Sequence, residues 1–349
     1  GSGLVSPAES QASSSDIPSS LASRGDSGIG LLSSLESQDS AGIQSSSASR
    51  IDSDTGCLSP TGSQAPPLYW DSTRLISVQC CEDISETLNF ITQELEKWQK
   101  QTSDFHRGIT VYLFTDVRRE WGNALFQAID EEFRVRKTWD SQARTLSLKM
   151  PTQGHDIAQK WVINSVVDWK DDAIISKEEW RGLKIGFGTT LKLPTSLFPK
   201  FQKEPDIYIR PYDSDSEFLP PIAFEVGWSE TAPRLKDDVR ILLEGGGGHI
   251  RVVIVIDWCL QKDGLTVTGK VDLWRRGLDG RPIHEQSEDI YPVPKLLRGQ
   301  VQNLGVTLDD LFLTTLRANQ DPKRIAYFDI GQLREEADKV FKELELKTA

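Results

Sequence analysis

Two carboxylates on neighbouring predicted strands are the side chains best suited to chemistry in this 349-residue chain. Asp206 lies in the short strand pattern EPDIYI, and Glu225 interrupts the apolar strand pattern IAFEVGW that follows it. Hard divalent cations take oxygen ligands, and anionic ligands offset the free energy needed to remove their water. The pair therefore predicts a site for Mg²⁺ or Mn²⁺.

A structural interpretation of the same two residues stays open. Asp206 also fits a turn or a strand edge, and Glu225 fits a core carboxylate paired with a cation. A carboxylate within the run IAFEVGW is expected to be buried. A buried carboxylate needs a cationic partner or a metal, so the residue types alone favour the two interpretations about equally.

The elements around the pair predict an α/β fold. A helical pattern covers residues 232–244 and ends at four glycines. The β-branched run RVVIVIDW after it is typical of a buried strand and is too short to cross a membrane. Upstream, RTLSLKM and GLKIGFGTTLKL are strand patterns, and residues 155–172 between them form a helical pattern.

Residues 144–258 resemble the PD-(D/E)XK nuclease-like superfamily, and in particular a fungal group of restriction-endonuclease-like proteins. The likeness lies in the segments TLSLKMPTQGHDIAQKW, GFGTTLKL, EPDIYI, IAFEVGWSET, LKDDVRILLEG and RVVIVI. It implies an α/β fold with a restriction-endonuclease-like core, a central mixed β-sheet flanked by helices, over residues 144–280. An αβα extension is expected at residues 68–143, with a helix capped by Asp116, and a C-terminal loop and helices at residues 281–349 are expected to pack on the core. The segment 279–295 has loop-like composition, a helix is expected from Val306, and residues 332–347 form an amphipathic helical pattern.

The resemblance also assigns roles to single residues. Pro205 and Asp206 match the PD element, and Glu225 matches the (D/E) position. Asp156, in the first turn of a predicted helix, matches the acid of the family's first core helix, although the helix dipole alone also favours an acid there. The implied metal is held by Asp206, Glu225 and the backbone carbonyl of Val226. Asp156 joins it through a water.

The motif lysine is missing from the family pattern. Gly227 stands two residues past Glu225, where the family has Lys. Lys236, on the next predicted helix, is the replacement cation that we expect. The alternative is that Lys236 and Arg240 belong to a solvated helix face, since they lie at i,i+4 with acidic neighbours between them.

Three further side chains are candidates for a part in the site. His155 is either a neighbour of the helix N-cap or a general base. Thr189 and Thr190 match a small hydroxyl pair of the family and are expected to hold a water or a phosphate oxygen.

The resemblance implies a Mg²⁺- or Mn²⁺-dependent phosphodiesterase acting on nucleic acid, with Asp156, Asp206, Glu225 and Lys236 as catalytic residues. In such enzymes the metal lowers the pKa of a bound water, and a nearby cation stabilises the developing charge. The alternative is a catalytically inactive nuclease-fold module that acts in protein or nucleic-acid binding. Gly227 and the acidity of the chain favour this alternative, and retention of three acids opposes it.

Net charge limits how the chain can bind nucleic acid. The formal charge is −12. Proteins that contact many phosphates usually carry a basic stripe, so any contact here is expected to be local and salt-sensitive. The local basic patches are Arg118 and Arg119, residues 134–137, and Arg275 and Arg276.

Residues 1–67 differ in composition from the rest of the chain. They are rich in Ser and Gly and almost free of aromatics, which predicts a disordered tail. Phosphorylation at Ser27 and Ser33 could dock this tail on a basic protein partner, although a solvated linker is the simpler interpretation. The four cysteines form no CxxC pair, and no signal or membrane-spanning segment is evident. The expectation is an intracellular protein, of cytoplasm or nucleus, that binds no membrane.

Overall fold

The computed structural model describes residues 72–100, 110–129, 133–195, 201–212, 219–295 and 300–349. The chain divides into two units, Gly1–Gly62 and Ser63–Ala349. The tail at residues 1–67, including Ser27 and Ser33, lies outside the described residues. Within the described part, no helix is both long and apolar enough to cross a membrane.

The described residues form a mixed α/β structure. Its strands are β1 (Thr73–Ser77), β2 (Val111–Thr115), β3 (Arg136–Asp140), β4 (Thr145–Lys149), β5 (Leu183–Gly186), β6 (Leu191–Lys192), β7 (Gln202–Lys203), β8 (Ile207–Pro211), β9 (Ile222–Trp228), β10 (Val252–Leu260), β11 (Thr266–Arg276), β12 (Pro282–Tyr291), β13 (Asn303–Thr307), β14 (Ile325–Asp329) and β15 (Lys347–Thr348). Its helices are α1 (Ile84–Lys100), α2 (Arg119–Ala128), α3 (Gln153–Asp171), α4 (Lys177–Arg181), α5 (Ala232–Gly245), α6 (Leu308–Phe312) and α7 (Ile330–Glu343), with a 3₁₀ turn at Leu313–Thr315.

Two large sheets carry most of these strands. The first has the order β1-β2-β4-β3-β7-β6, and the second has the order β12-β11-β10-β9-β8-β5, with β15 beside β11. In the second sheet β9 and β10 are parallel, whereas β5, β8 and β9 pair in antiparallel fashion. The second sheet is therefore mixed, as expected from the sequence.

The central strands of the second sheet are buried on both faces. Alternate side chains of a strand point to opposite faces, so the apolar run of β10 supplies two cores. Ile254 and Ile256 pack in a cluster with Trp161 of α3, whereas Val253 and Val255 pack in a cluster with Leu242 of α5. Helices on both faces thus explain why β9 and β10 are largely apolar.

The segment 183–192 connects the two sheets. It begins in the second sheet as β5 and ends in the first sheet as β6. Sequence analysis treated it as one core strand, and this interpretation was wrong, because a turn at Phe187–Thr190 separates two strands. The first sheet therefore contains strands from both sides of the boundary expected at residue 144.

Three expectations about other elements also need correction. The helix expected to be capped by Asp116 begins at Arg119, and Asp116 instead accepts hydrogen bonds from Ser77 and Thr115. The loop expected at residues 279–295 contains β12, an edge strand whose many exposed polar residues resemble loop composition. The helix expected from Val306 is the end of β13 followed by the single turn of α6.

Helix α7 packs against the C-terminal ends of β9 and β10. The Phe341 ring lies edge-on to Trp258, with centroids 5.3 Å apart, and 6.1 Å from the Trp228 ring. The expected amphipathic helix at the C-terminus is therefore confirmed, and its apolar face closes the core.

We expect Phe341→Ala to lower the free energy of unfolding by about 3–5 kcal/mol, because it empties a fully packed aromatic site. Glu343→Ala, on the exposed face of the same helix, is the control and should change it by less than about 0.5 kcal/mol. Urea denaturation of both variants measures the difference. Equal effects would show that α7 does not close the core.

Candidate functional site: a buried ion cluster

The structure brings Asp206 and Glu225 together. Asp206 directly precedes β8, and the antiparallel register that pairs Ile207 with Phe224 places Asp206 beside Glu225. Their exposed fractions are only 1% and 0%. The backbone N–H of Val226 donates a hydrogen bond of 2.8 Å to Asp206 Oδ2, which fixes the orientation of that carboxylate.

A lysine that sequence analysis did not consider lies between these carboxylates. The ammonium nitrogen of Lys149, at the end of β4, is 3.2 Å from Glu225 Oε2 and 3.5 Å from Asp206 Oδ2. It also lies 3.2 Å from Glu230 Oε2 and 3.9 Å from Asp238 Oδ2. One cation from the first sheet thus faces four carboxylates that lie in or directly beside the second sheet and helix α5.

A second lysine completes the arrangement. The Lys203 ammonium, from β7, lies 2.8 Å from Asp238 Oδ1 and 3.0 Å from Glu225 Oε1. Arg234 of α5 contributes a third cation, with its Nε 2.7 Å from Glu230 Oε1. We call the six residues Lys149, Lys203, Asp206, Glu225, Glu230 and Asp238 the buried ion cluster.

Burial and the two lysines act in opposite directions on the acids. Burial favours the neutral acid, but Lys149 and His155 outweigh it at Asp206 and hold the pKa of that carboxyl far below its usual range. Burial dominates at Glu225 and raises its pKa to about 8 despite Lys203 and Lys149. Asp238 has a lowered pKa because Lys203 and Lys149 overcome the effect of burial.

Both lysines are held in the charged form. Burial alone would lower the pKa of an ammonium group. The carboxylates around Lys149, led by Asp206 and Glu230, reverse this effect and raise its pKa well above the usual value. Asp238 and Glu225 likewise raise the pKa of Lys203.

This arrangement does not fit a divalent metal. Both oxygens of Glu225 face lysine ammonium groups, and Asp206 Oδ2 faces Lys149 and the Val226 N–H. The remaining oxygen, Asp206 Oδ1, lies 3.3 Å from His155 Nε2. A metal bound to Asp206 and Glu225 would have to displace Lys149. Across the described ranges, no group of three or more His, Cys, Asp or Glu side chains is arranged to hold a metal ion.

His155, rather than Asp156, faces Asp206. His155 belongs to the capping box of α3, and its Nδ1 accepts a hydrogen bond of 3.0 Å from the Thr152 N–H. Its Nε2 therefore carries the proton of the neutral ring and points to Asp206, so the N-cap interpretation holds and neither nitrogen is left to act as a base. Asp156, one residue on, is exposed and lies outside the buried ion cluster.

Lys236 is not brought to the two carboxylates. Its side chain is exposed on α5, and among the described residues it forms no ion pair with Asp206 or Glu225. It lines a small cavity with Asp257 and Asp272 instead. Lys149 and Lys203, not Lys236, therefore lie beside Asp206 and Glu225, where a replacement for the motif lysine was expected.

Packing explains why a glycine stands at position 227. A Cβ on Gly227 would lie 2.9 Å from Leu235 Cδ1 and 3.2 Å from Asp257 Oδ1. A lysine there would need Leu235 of α5 to move. Asp257 itself is half-buried, and desolvation together with Glu230 and Asp272 raises its pKa to about 7.

The two threonines expected to hold a water or phosphate oxygen have protein partners. Thr189 Oγ1 lies 3.1 Å from the Tyr208 hydroxyl, and Thr190 Oγ1 donates a 2.9 Å hydrogen bond to Glu204. Of the residues that sequence analysis missed, Asp238 gave a signal, because it lies at helical spacing from Leu235 and Leu242 on the apolar face of α5. Lys149 and Lys203 gave none.

We expect Lys149→Met to lower the free energy of unfolding by about 3–5 kcal/mol, because it leaves buried carboxylates without their cation. Lys236→Met removes an exposed lysine from α5 and should change the value by less than about 0.5 kcal/mol. Chemical denaturation of the two variants measures this. A similar loss in both would contradict the placement of Lys149 at the centre of the cluster.

The raised pKa of Glu225 predicts the pH dependence of stability. A carboxyl whose folded pKa exceeds its ordinary value of 4.5 stabilises the fold fully below that value, and this contribution is lost as pH rises through about 8. Wild-type stability should therefore fall between roughly pH 5 and pH 9, by up to about 1.4 kcal/mol per pH unit, more steeply than that of Glu225→Gln. Melting curves across this range test it, with Glu178→Gln as an exposed control. Parallel curves for wild type and Glu225→Gln would contradict it.

No protein-family model matches the chain, and no curated protein matches it either. The geometry of the buried ion cluster and its surroundings is therefore the basis for assigning a function.

Proposed function

We propose that this chain is a nuclease-fold protein that binds its partner without cleaving it. The observation that carries the proposal is the position of the Lys149 ammonium, 3.2 Å from Glu225 and 3.5 Å from Asp206. Two acids that resemble metal ligands are thus in contact with lysines from another sheet. The cluster then stabilises the fold instead of activating a water.

The order of elements supports the nuclease-like part of the proposal. Helix α3 precedes the antiparallel strands β5, β8 and β9, and helix α5 leads to the parallel strand β10. This is the order that the resemblance to restriction-endonuclease-like proteins implies. Asp206 and Glu225 occupy neighbouring strands, as the PD and (D/E) positions require.

The lack of access to the cluster supports the non-cleaving part. A scissile phosphate would have to contact Asp206 and Glu225, which are almost fully buried. His155 and Arg136 cover Asp206 on its Oδ1 side, at 3.3 Å and 4.0 Å. Nucleic acid is the partner that the resemblance favours, and the net charge of −12 restricts contact to local basic surfaces.

A Mg²⁺- or Mn²⁺-dependent phosphodiesterase is the second candidate. It is favoured by the same lysine, because Lys149 brings to the two acids the cation that the motif lacks at Gly227. This function requires Lys149 to leave Glu225 and the site to open. The two candidates therefore differ in whether a metal binds the folded chain.

Thermal melting with and without millimolar Mg²⁺ or Mn²⁺ distinguishes them, because a ligand that binds only the folded state raises the melting temperature. For a non-cleaving protein we expect no shift that depends on Glu225, and no nicking of single- or double-stranded DNA or RNA. Glu225→Gln is the test variant, and Glu178→Gln is the control for nonspecific ion effects. A metal-dependent shift lost only in Glu225→Gln, together with nicking, would establish the second candidate.

A further inference from the structure

A groove lies beside the buried ion cluster and is lined by residues outside that cluster. Its volume is about 490 Å³, within the range of sites that bind small ligands. The start of β3, with Arg134 and Arg136, forms one side, and the first turn of α3, with His155 and Asp156, forms another. Gly188, from the segment that connects the two sheets, also lines it.

The Arg136 guanidinium is held in place at this groove. A Cβ at Gly188 would lie 2.5 Å from Arg136 Nη1 and 2.9 Å from Cζ, and Gly188 has a φ of +57°. Only a glycine leaves room for the guanidinium and adopts this backbone conformation without strain. The segment 183–192 thus leaves space at Gly188 for the Arg136 guanidinium.

The hydrogen-bonding capacity of Arg136 is largely unused within the described residues. Among the described residues it forms an ion pair with Asp206, whose Oδ1 lies 4.0 Å from Arg136 Nε. This Nε is buried and has no hydrogen-bond partner. A guanidinium presents five donors in a planar fork that matches the oxygens of a phosphate.

The other charges of the groove leave it cationic. Arg134 is exposed and forms no ion pair with a described residue. Glu204 already accepts hydrogen bonds from Thr190 Oγ1 and from the Lys137 N–H. Asp156 is the acid that remains at the groove, where the positive end of the 19-residue helix α3 offsets its charge.

We propose that this groove binds a phosphate ester, with Arg136 and Arg134 contacting the phosphate oxygens. The volume leaves room for an attached group of about nucleotide size. The ester has two sources, a free mononucleotide or a phosphodiester within a nucleic-acid strand. The site lies outside the buried ion cluster, so the inference does not depend on whether the chain cleaves. It deepens the proposed function by naming the surface that contacts the partner, and its diester form rests on that function.

Isothermal titration of the full chain tests the proposal with three probes: adenosine monophosphate, adenosine, and a short oligothymidylate without terminal phosphates. We expect at least one of the phosphate-containing probes to bind at least roughly tenfold more tightly than adenosine. Its affinity should fall as salt is raised. Tighter binding of the monophosphate identifies a monoester site, and tighter binding of the oligonucleotide identifies a diester site.

Arg134→Gln and Arg136→Gln should each weaken binding of the preferred probe by roughly tenfold or more. Arg281→Gln is the matched control, because Arg281 is exposed, lies outside the groove and forms no ion pair with a described residue. Arg134 is exposed and forms no ion pair with a residue of the buried ion cluster, so its variant remains informative even if Arg136→Gln fails to fold. Equal affinity for adenosine and the phosphate probes, no binding of either phosphate probe at millimolar concentration, or equal losses in Arg134→Gln and Arg281→Gln would overturn the proposal.

Discussion

The structure depends on the contact of one buried ammonium group with four carboxylates. Lys149 belongs to the first sheet, whereas Asp206, Glu225, Glu230 and Asp238 belong to the second sheet or to the chain leading through α5. Burying a charge is unfavourable by several kcal/mol unless partners surround it. Here the partners come from the opposite sheet, so each sheet leaves uncompensated charge without the other. Electrostatics, as well as apolar packing, therefore fixes how the sheets meet.

The same constraint explains the closed state of the site. The cations that compensate Asp206 and Glu225 occupy the space next to their oxygens, and the surrounding packing excludes water. Position 227 belongs to the same closely packed region, because Leu235 packs against the glycine and Asp257 lies beside it. Returning the motif lysine to this strand would therefore require changes in α5 as well. Gly227 and Leu235 leave no space for a lysine on β9, and Lys149 and Lys203 supply the cations from the first sheet instead.

Much of this architecture was predictable from local patterns. The apolar runs of β9 and β10, the amphipathic helix α7 and the juxtaposition of Asp206 with Glu225 follow from periodicity and strand order. The lysines of the cluster did not, because they reach the acids from a different sheet. In β4 the alternation of Leu146 and Leu148 with Ser147 and Lys149 is typical of one buried and one solvated face. The face of β4 that this pattern predicts to be solvated, with Ser147 and Lys149, is in fact buried against the second sheet and α5. The expectation that Asp156 faces Asp206 was wrong for a local reason. Successive side chains of a helix point in different directions, so His155 faces Asp206 whereas Asp156 faces solvent.

The path of the chain between the sheets has a consequence for biosynthesis. Strand β3 is completed on its outer side only by β7, and the acid Asp238 that contacts both lysines follows Lys149 by nearly ninety positions. Because a chain emerges from the ribosome N-terminus first, the outer edge of β3 stays open until β7 has been made, and both lysines lack Asp238 until α5 has been made. A ribosome that stalls before β7 would leave a nascent chain with an unprotected strand edge, the kind of species that chaperones bind.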